Sequence, residues 1–534
     1  MEFTLPTLRK DEIAALKLRA LFEAAGYKLF RMGSFEAYDL YMQNKSFLSS
    51  DDIITFTGAD GRLMALKPDV TLSIVKNTRP NEARRVYYNE SVFRRSRDTG
   101  EYREINQTGL ECIGFEREDS EAEVLKLAAE SLSLLGESSL DISHMGLIEA
   151  VLAGFSDAGL RADALAALRY KSEHDMFGIA KAAGLSDAAA KRMAELSGLS
   201  GPLSATLTLA RRLTSDMPDA AGPLDELDSI CRTLEGADLK TALNLDLSIL
   251  NDVDYYNGVI FRGFLKGMAR YALAGGRYDN LMARFDKSQG AIGFALYLDT
   301  LEQVTPDAGP NKDQTRDWLN IALPKGRMGD SVLECFEKAG YICGGAFADS
   351  RRLVYEDEAG RVRYYLVKPG DVDSYVEHGV ADIGVVGKDL LLESSADVLE
   401  LADLKLGVCR LVTAGKPDFV EDPALPLRVA TKYPNIARRY FADKSRSVEI
   451  IKLGGSIELA PLTGLSDIIV DIVESGTTLR ENNLVVLSEI VPSSARLIAN
   501  RASWSFKNAQ IRALLERISV ERRQETASGT GQTK

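Results

Sequence analysis

Short apolar runs alternate with amphipathic segments through the C-terminal part of the sequence. LNIAL (319–323), LRVAT (427–431) and SDIIVDIV (466–473) have the length and composition of buried strands. SVLECFEKAG (331–340) carries apolar residues at helical spacing and ends on a glycine that suits a helix C-terminus. The alternation predicts parallel sheets with helices packed on both faces, and ligands in such folds bind at the carboxyl ends of the strands.

The N-terminal part has a different pattern. An amphipathic segment at 9–26 predicts a helix that ends at Gly26, and a second helix is expected over 121–136. Strand-like runs otherwise follow one another with few helices: IITFTG, RLMALKP, RRVYYNESVFRR, REINQTGLECIG, YYNGVIFRGF and AIGFALYL. Consecutive strands of this kind predict an antiparallel sheet in an α+β domain.

The clearest boundary is QVTPDAGPNKDQTRD (303–317), which is rich in Pro, Gly and charged residues and lacks apolar periodicity. A chain of 534 residues is also too long for one ordinary core. We therefore expect an N-terminal domain at 1–302, a linker at 303–317 and a second domain at 318–522. The polar end of the chain, 523–534, is expected to be a disordered tail.

Composition argues against several classes of protein. The net charge of −13 does not suit a nucleic-acid coat or a polybasic membrane anchor, and no apolar run approaches the roughly 18 residues of a membrane span. Five cysteines without a CxxC pair and three separated histidines argue against a metal site built from these residues. The N-terminus reaches charged residues before any apolar stretch, so no signal peptide is expected. We expect a cytoplasmic protein with no nucleic-acid or membrane partner.

The segment VDIVESGTTLREN (470–482) concentrates polar chemistry where a strand-like run becomes a helix-like one. Two acids precede a loop of hydroxyls and one glycine: Asp471 and Glu474, then Ser475, Gly476, Thr477 and Thr478. Amides and hydroxyls at a helix start form an anion site, and a glycine lets the backbone approach a phosphate. Carboxylates beside a phosphate must serve another group, and ribose hydroxyls fit. The stretch therefore suits a sugar phosphate, although a Ser- and Thr-rich helix cap is the alternative.

A second loop, PKGR (324–327), also joins a predicted strand to a predicted helix and brings Lys325 and Arg327 to the positive end of that helix. This combination suits a pyrophosphate, with or without a magnesium ion. SRRL (350–353) supplies Arg351 and Arg352, one of which could face the charge that develops on a leaving group. Ordinary solvated turns are the alternative for both segments.

From about residue 318 to 520 the chain resembles the short-form catalytic subunit of ATP phosphoribosyltransferase, the first enzyme of histidine biosynthesis. The runs that carry the resemblance are IALPKGR, SRRLVY, YVEHGVADIGVVGKDLL, ATKYPNIARRYF, KLGGSIELAPLTGLSDIIVDIVESGTTLREN and SSARLIAN. The resemblance implies two α/β lobes of the periplasmic-binding-protein type with the active site in the cleft. It also implies condensation of ATP with phosphoribosyl pyrophosphate, with Mg²⁺ accompanying both substrates.

On this resemblance, Asp471 and Glu474 would face the ribose hydroxyls, and residues 475–478 would hold the 5-phosphate. Lys325 and Gly326 would bind ATP and pyrophosphate, and Arg327 and Arg351 would be the catalytic cations. Adenine N1 already has a free lone pair, so its attack on the ribose C1 needs little general-base help. Positioning and cationic stabilisation should supply most of the catalysis. Departures at VKPGDV (367–372) and Gly454 leave the adenine contacts open.

Residues 1–302 resemble the catalytic core of histidyl-tRNA synthetase, a class II aminoacyl-tRNA synthetase. The matching stretches are FEAYDLY, LKPDVT, RRVYYNESVFRR, YREINQTGLE, VDYYNGVIFRGF, AGGRYDNL and AIGFALYL. The resemblance implies a histidine pocket in which Asp69 and Thr71 bind the amino group and Arg94 lies near the carboxylate. The remaining pocket residues would be Gln107, Glu111, Tyr255 and Tyr256. A solvated face of the sheet is the alternative for these polar positions.

Departures from the synthetase pattern are informative. Asn251 and Thr300 occur where the synthetase has arginines that handle ATP, and Tyr297 replaces a glycine and would crowd a nucleotide. The phosphoribosyltransferase-like segment occupies the place of an anticodon-binding domain. This is the pattern of the regulatory subunit that pairs with the short-form catalytic subunit, here fused to it. The resemblance therefore implies feedback inhibition by histidine and a homo-oligomer.

Two other functions are compatible with parts of the pattern. An active histidyl-tRNA synthetase-like enzyme with an added domain would show histidine-dependent exchange between ATP and pyrophosphate. A solute-binding module without catalysis would not turn over ATP with phosphoribosyl pyrophosphate.

Overall fold

The computed structural model describes residues 8–42, 53–95, 100–250, 256–303, 317–341 and 352–528. The chain forms two compact units, 1–312 and 313–534, so the division falls inside the segment expected to be a linker. Among the described residues, no helix is long and apolar enough to cross a bilayer.

The N-terminal unit is built on one large sheet. Its strands are β1 Lys28–Leu29, β2 Phe35–Ala37, β3 Thr55–Thr57, β4 Leu63–Leu66, β5 Arg84–Arg95, β6 Tyr102–Ile113, β7 Ser138–His144, β8 Ser200–Pro202, β9 Ala242–Asp246, β10 Val259–Leu265, β11 Leu273–Arg277 and β12 Ala291–Tyr297. Its helices are α1 Lys10–Ala24, α2 Asp39–Met42, α3 Thr71–Asn77, α4 Arg117–Ser133, α5 Met145–Leu152, α6 Ala158–Tyr170, α7 Glu173–Ala182, α8 Asp187–Ser197, α9 Leu203–Leu213, α10 Ala221–Glu235 and α11 Asp279–Arg284.

The large sheet has nine strands in the order β1-β5-β6-β12-β11-β10-β7-β9-β8, and β2, β4 and β3 form a small second sheet. Every neighbouring pair in the large sheet is antiparallel except β1–β5 and β7–β9. The predicted antiparallel α+β arrangement is therefore confirmed. The helix predicted over 121–136 begins earlier, at Arg117. The prediction missed its first turn because that turn is charged and has no apolar periodicity. The six helices α5 to α10, between β7 and β9, are more than the few helices that the succession of strand-like runs predicted.

The C-terminal unit contains two sheets. Its strands are β13 Leu319–Pro324, β14 Val354–Asp357, β15 Val362–Val367, β16 Ile383–Gly387, β17 Leu399–Asp403, β18 Cys409–Gly415, β19 Leu427–Thr431, β20 Val448–Lys452, β21 Ile468–Val473, β22 Val485–Ser493 and β23 Ala495–Ala499. Its helices are α12 Arg327–Lys338, α13 Val372–Glu377, α14 Lys388–Ser394, α15 Pro434–Asp443, α16 Leu459–Thr463, α17 Thr477–Glu481 and α18 Arg501–Ser528. The last helix places residues 523–528 in helical backbone rather than in the disordered tail expected at 523–534.

The first of these sheets has the order β14-β15-β13-β16-β23-β17 and the second has the order β20-β19-β21-β18-β22. Neighbouring residues on the central strands belong to different apolar cores: Ile321 and Ala322 in the first sheet, and Val429 and Ala430 in the second. Helices pack into all four cores, so the expectation of helices on both faces is confirmed.

The prediction that these sheets are parallel is wrong in part. Only β15-β13-β16 and β20-β19-β21 are parallel, and the other neighbouring pairs are antiparallel. The antiparallel strands β17, β18, β22 and β23 carry the chain from one sheet to the other. The chain crosses to the second sheet over β17 and β18 and returns over β22 and β23, so the strands of the two crossings run in opposite directions. A hydrophobic pattern does not record such a return.

Two extended segments therefore connect the sheets, and they lie side by side. The amide of Leu404 donates to the carbonyl of Ala495, whose own amide donates to the carbonyl of Leu406. Beside them the buried carboxylate of Asp389, at the start of α14, accepts hydrogen bonds from Tyr433 Oη at 2.8 Å and Ser493 Oγ at 2.7 Å. Asp389 thus joins an element of the first sheet to a residue that precedes α15 on the second.

Candidate functional site

The loop after β13 is shaped by two glycines. Gly326 precedes α12 with φ of 95° and ψ of −170°, a conformation open to glycine and costly for other residues. A Cβ on Gly329 would lie 1.7 Å from the carbonyl oxygen of Pro324, so the first turn of the helix packs directly on the end of the strand. The side chains of Lys325 and Arg327 are exposed on this loop. The loop therefore presents two cations at the start of a 12-residue helix.

The loop after β21 has the expected glycine turn. Gly476 has φ of 72°, and Ser475 Oγ lies 3.0 Å from Thr477 Oγ1. The helix that follows, α17, has only five residues, shorter than the polar helical segment expected from the sequence. A helix this short develops little dipole, so loop amides and hydroxyls must supply most of the attraction for an anion.

The two loops meet. Arg327 Nη2 donates to Glu474 Oε2 at 2.5 Å, and the two side chains are 85% and 57% exposed. The contact joins the first sheet of the C-terminal unit to the second. It brings together the two segments that the sequence reasoning had selected separately.

Asp471 lies on β21, three residues before Glu474, and its Oδ1 accepts the amide of Ile472 at 2.8 Å. Burial raises the pKa of Asp471 to about 6, with a further increase from the negative charge of Glu458. The amide of Ile472 and the ammonium of Lys432 act in the opposite direction on this pKa. Asp471 is therefore a carboxylate whose charge is sensitive to pH just below neutrality.

Sequence reasoning missed two basic residues here. Arg480 curls back over the loop, with Nη1 3.2 Å from the carbonyl of Ser475 and Nη2 3.1 Å from Thr477 Oγ1. Its spacing of three residues from Thr477 in a helix-like segment could have indicated this contact. Lys432 follows β19, the strand that pairs in parallel with β21, so it ends at the same edge of the sheet as Asp471. The predicted Arg351 lies outside the described residues.

A separate cavity of about 200 Å³ lies in the N-terminal unit. All six described residues of the predicted histidine pocket line it: Asp69, Thr71, Arg94, Gln107, Glu111 and Tyr256. The seventh, Tyr255, lies outside the described residues. The sequence reasoning missed four polar lining residues, namely Tyr88, Arg262, Tyr271 and Tyr278. They lie on the same antiparallel strands or close beside them, but no local pattern separates residues that face a cavity from residues that face a helix.

Glu111 is the most deeply buried acid of the cavity. Its Oε1 accepts from Thr71 Oγ1 and its Oε2 from Tyr278 Oη, both at 2.6 Å. Burial raises the pKa of Glu111 to about 8, although the two hydrogen bonds act in the opposite direction. A cationic group of a ligand placed beside Glu111 would favour its ionised form.

Small residues on the central strands make room for the cavity. A Cβ on Gly293 of β12 would lie 1.8 Å from Glu111 Oε2, and one on Gly276 of β11 would lie 2.7 Å from the ring of Tyr256. A larger residue at position 293 would occupy the space beside Glu111, and one at position 276 would displace the ring of Tyr256. The glycines of AGG (274–276) and AIG (291–293) are thus part of the site.

Both halves of the chain match known families. The family described as Histidyl-tRNA synthetase matches residues 1–301, and the family described as ATP phosphoribosyltransferase matches residues 368–520.

Curated relatives match the C-terminal part. An ATP phosphoribosyltransferase of Brachyspira hyodysenteriae is 56% identical over 201 residues, which are 38% of this chain and 98% of the relative. One from Caldanaerobacter subterraneus is 52% identical over 203 residues, 38% of this chain and 96% of the relative. Among solved structures, a chain of the ATP phosphoribosyl transferase (HisG:HisZ) complex from Thermotoga maritima is 38% identical, with a TM-score of 0.34, and the match covers 38% of this chain and 96% of that one.

Proposed function

Because the chain belongs to the ATP phosphoribosyltransferase family through its C-terminal part and to the histidyl-tRNA synthetase family through its N-terminal part, we propose that it is a histidine-regulated transferase in one polypeptide. It condenses ATP with phosphoribosyl pyrophosphate to N1-(5-phosphoribosyl)-ATP and pyrophosphate, the first step of histidine biosynthesis. Histidine bound in the N-terminal cavity inhibits this reaction.

The contact between Arg327 and Glu474 carries the proposal for the catalytic site. It places a cationic loop that follows one strand against an acidic and hydroxyl-rich loop that follows another. Phosphoribosyl pyrophosphate needs both at once, since its pyrophosphate and its ribose hydroxyls are adjacent. We assign Lys325, Gly326 and Arg327 to the phosphates of ATP and of the leaving pyrophosphate. The two sheets would be lobes of the periplasmic-binding-protein type that close around the substrates.

The ribose and its 5-phosphate occupy the second loop in this proposal. Asp471 and Glu474 accept hydrogen bonds from the ribose hydroxyls, and the 475–478 loop holds the phosphate. Arg480 supplies positive charge for the phosphate, because the five-residue helix α17 has only a small dipole. This loop alone could bind any sugar phosphate. In this proposal the first loop provides the selectivity for a substrate that also carries a pyrophosphate.

The reaction forms the bond from adenine N1 to the ribose C1 and breaks the bond from C1 to the pyrophosphate oxygen. The electron pair of that bond leaves with the pyrophosphate. The lone pair of N1 is free, so the chain needs to position the two substrates and stabilise the departing charge. Arg327 meets that need, and Arg351 is a second candidate by family resemblance.

The acidic side chains here also fit a magnesium ion that arrives with the substrates. Mg²⁺ prefers oxygen ligands and is commonly held by one or two carboxylates together with substrate phosphates. When bound, it would neutralise part of the pyrophosphate charge. We expect the protein to act in the cytoplasm as a homo-oligomer, as its family resemblances imply.

Two features of the N-terminal cavity support binding of an amino acid without its activation. Its volume of about 200 Å³ is below the roughly 300–1,000 Å³ of pockets that take drug-sized ligands. Tyr297 lines it, where the synthetase pattern has a glycine. The runner-up function, an active synthetase-like enzyme, needs space for an adenylate.

Mixing the protein with ATP, phosphoribosyl pyrophosphate and Mg²⁺ tests the proposal. We expect a new absorbance from the N1-substituted adenine, and we expect histidine to suppress it. The Thr478→Val variant should lose activity through weaker 5-phosphate binding, while Thr463→Val, on a neighbouring helix, should retain it. Histidine-dependent exchange of pyrophosphate into ATP without product formation would favour the runner-up instead.

A further inference from the structure

Arg262 lines the cavity and lies in the stretch VDYYNGVIFRGF, but the family resemblance gave it no role. It lies on β10, in a cross-strand row with Ala274 of β11, Ala295 of β12 and Gly109 of β6. Glu111 lies two residues along β6 from the end of that row, so both side chains start from the same face of the sheet. Between them the strands carry small residues, and the cavity occupies the space above those residues.

The guanidinium of Arg262 makes one hydrogen bond to the described residues. Its Nη2 donates to the carbonyl of Leu250 at 2.9 Å, and its Cζ lies 4.9 Å from the centre of the Tyr271 ring. None of the described residues provides a carboxylate partner within ion-pair distance of it. An arginine has five N–H donors and stays charged, so a half-buried one without an acid favours an anion.

Arg94, the residue expected at the ligand carboxylate, is in a different position. Its Nη2 lies 3.6 Å from Asp69 Oδ2, and its Nε donates to the carbonyl of Pro68 at 2.7 Å. Its charge is therefore balanced within the protein. Tyr297 lies close enough to both arginines for their charges to act on it. Burial raises the pKa of its phenol, and the positive charges of Arg94 and Arg262 partly offset that increase. The two cations thus border the same part of the cavity.

From this arrangement we infer that Arg262 binds the carboxylate of the amino-acid effector and makes the cavity selective for a free, ionised carboxylate. The ligand class is an α-amino acid, as opposed to its alcohol, amide or ester. The inference rests on the proposed regulatory function and adds to it the residue that distinguishes the amino acid from related compounds that lack an ionised carboxylate. The cationic end of the same ligand would lie toward Glu111 and Asp69.

Calorimetry on the full-length protein with histidine and with histidinol tests this assignment, because histidinol replaces the carboxylate by a hydroxymethyl group. Loss of a charge-assisted hydrogen bond predicts that the wild-type protein prefers histidine by about 10- to 150-fold. In Arg262→Gln we expect the affinity for histidine to fall by about that factor and the affinity for histidinol to change by less than about threefold. The preference for histidine should therefore disappear. Retained histidinol binding also reports an intact cavity.

Two further variants complete the test. Arg262→Met keeps an aliphatic side chain against Tyr271. It is used in the same experiment if Arg262→Gln does not fold. Arg212→Gln changes an exposed arginine on α9 and should keep the full preference for histidine. The inference is overturned if Arg262→Gln or Arg262→Met binds histidine over histidinol with the wild-type ratio. Failure of the proposed regulation gives a different result, in which the wild-type protein binds neither compound or binds histidine without inhibition of turnover.

Discussion

Arg327 and Glu474 form an ion pair across the two sheets of the C-terminal unit, with Nη2 and Oε2 2.5 Å apart. Both side chains are largely exposed, so the pair contributes little to stability, about 0–1 kcal/mol. Substrate groups can therefore replace it at small cost. In the proposed complex, pyrophosphate takes the place of Glu474 beside Arg327, and ribose hydroxyls take the place of Arg327 beside Glu474.

Replacing Glu474 with alanine has two opposing effects on phosphoribosyl pyrophosphate binding. It releases Arg327, which is worth at most about 1 kcal/mol, and it removes a charge-assisted contact worth roughly 1.5–3 kcal/mol. The second effect is larger, so we expect weaker binding and a raised KM in steady-state kinetics. Glu481→Ala, an exposed acid on α17, is the matched control. An unchanged KM and rate in the Glu474 variant would falsify the ribose assignment.

We expect Asp471 to make the proposed reaction sensitive to pH. Because burial raises its pKa to about 6, the carboxylate becomes protonated as the pH falls through that value and then accepts hydrogen bonds poorly. We expect kcat/KM for phosphoribosyl pyrophosphate to decline on the acid side with an apparent pKa near 6. Phosphate groups of the substrate also titrate near pH 6. Asp471→Asn separates the two sources: its lower kcat/KM should lack the acid decline, and persistence of the decline would assign it to the substrate.

Gln107 offers a test of the proposed regulatory site. Its buried side-chain amide lines the N-terminal cavity and has no hydrogen-bond partner among the described residues, so it is available to a ligand. We expect Gln107→Ala to raise the histidine concentration needed for half inhibition by about 5- to 10-fold, the effect of one hydrogen bond of about 1–1.5 kcal/mol. Turnover without histidine is the reference. Gln289→Ala is the control, because it removes a half-buried amide that bonds Arg79 and Asn81 away from the cavity. If inhibition by histidine is unaltered, the effector binds elsewhere.

Coupling between the sites must also be reciprocal. If histidine weakens substrate binding by some factor, the substrate must weaken histidine binding by the same factor. Calorimetry of histidine with and without phosphoribosyl pyrophosphate measures that factor directly, and a coupling of roughly 1–3 kcal/mol is typical.

The hydrogen bond from Tyr433 to Asp389 should stabilise the contact between the two sheets of the C-terminal unit. The Tyr433 hydroxyl donates to the buried Asp389 at 2.8 Å, and removing it leaves that carboxylate one donor short, at a cost of roughly 1.5–3 kcal/mol. We expect Tyr433→Phe to lower both the midpoint of thermal unfolding and kcat/KM. Tyr440→Phe is the matched control, because Tyr440 is on the same side of the connection and contacts Ser488 of the second sheet. Equal loss of activity in both variants would mean that the Asp389 contact has no special part in positioning the loops.

Several strands of both units were predictable because each has its own apolar pattern. RRVYYNESVFRR and REINQTGLECIG are two long adjacent strands, and the runs LNIAL, LRVAT and SDIIVDIV are central strands of their sheets. The strand directions in the C-terminal unit were less predictable. Whether β18 runs with or against β21 depends on how the chain returns from one sheet to the other, and hydrophobic periodicity is the same in both cases.

The sequence by itself determined the residue types of both sites. Gly476 and Gly326 were recognisable because only glycine adopts their backbone geometry without strain, and hydroxyls, acids and bases are the side chains that phosphates and ribose require. Only the tertiary structure decided which of these groups meet. The pairing of Arg327 with Glu474, 147 residues apart, and the position of Arg262 at the cavity depend on how strands from distant parts of the chain align. Local sequence records the preferences of each segment, and contacts between segments arise only when the sheets assemble.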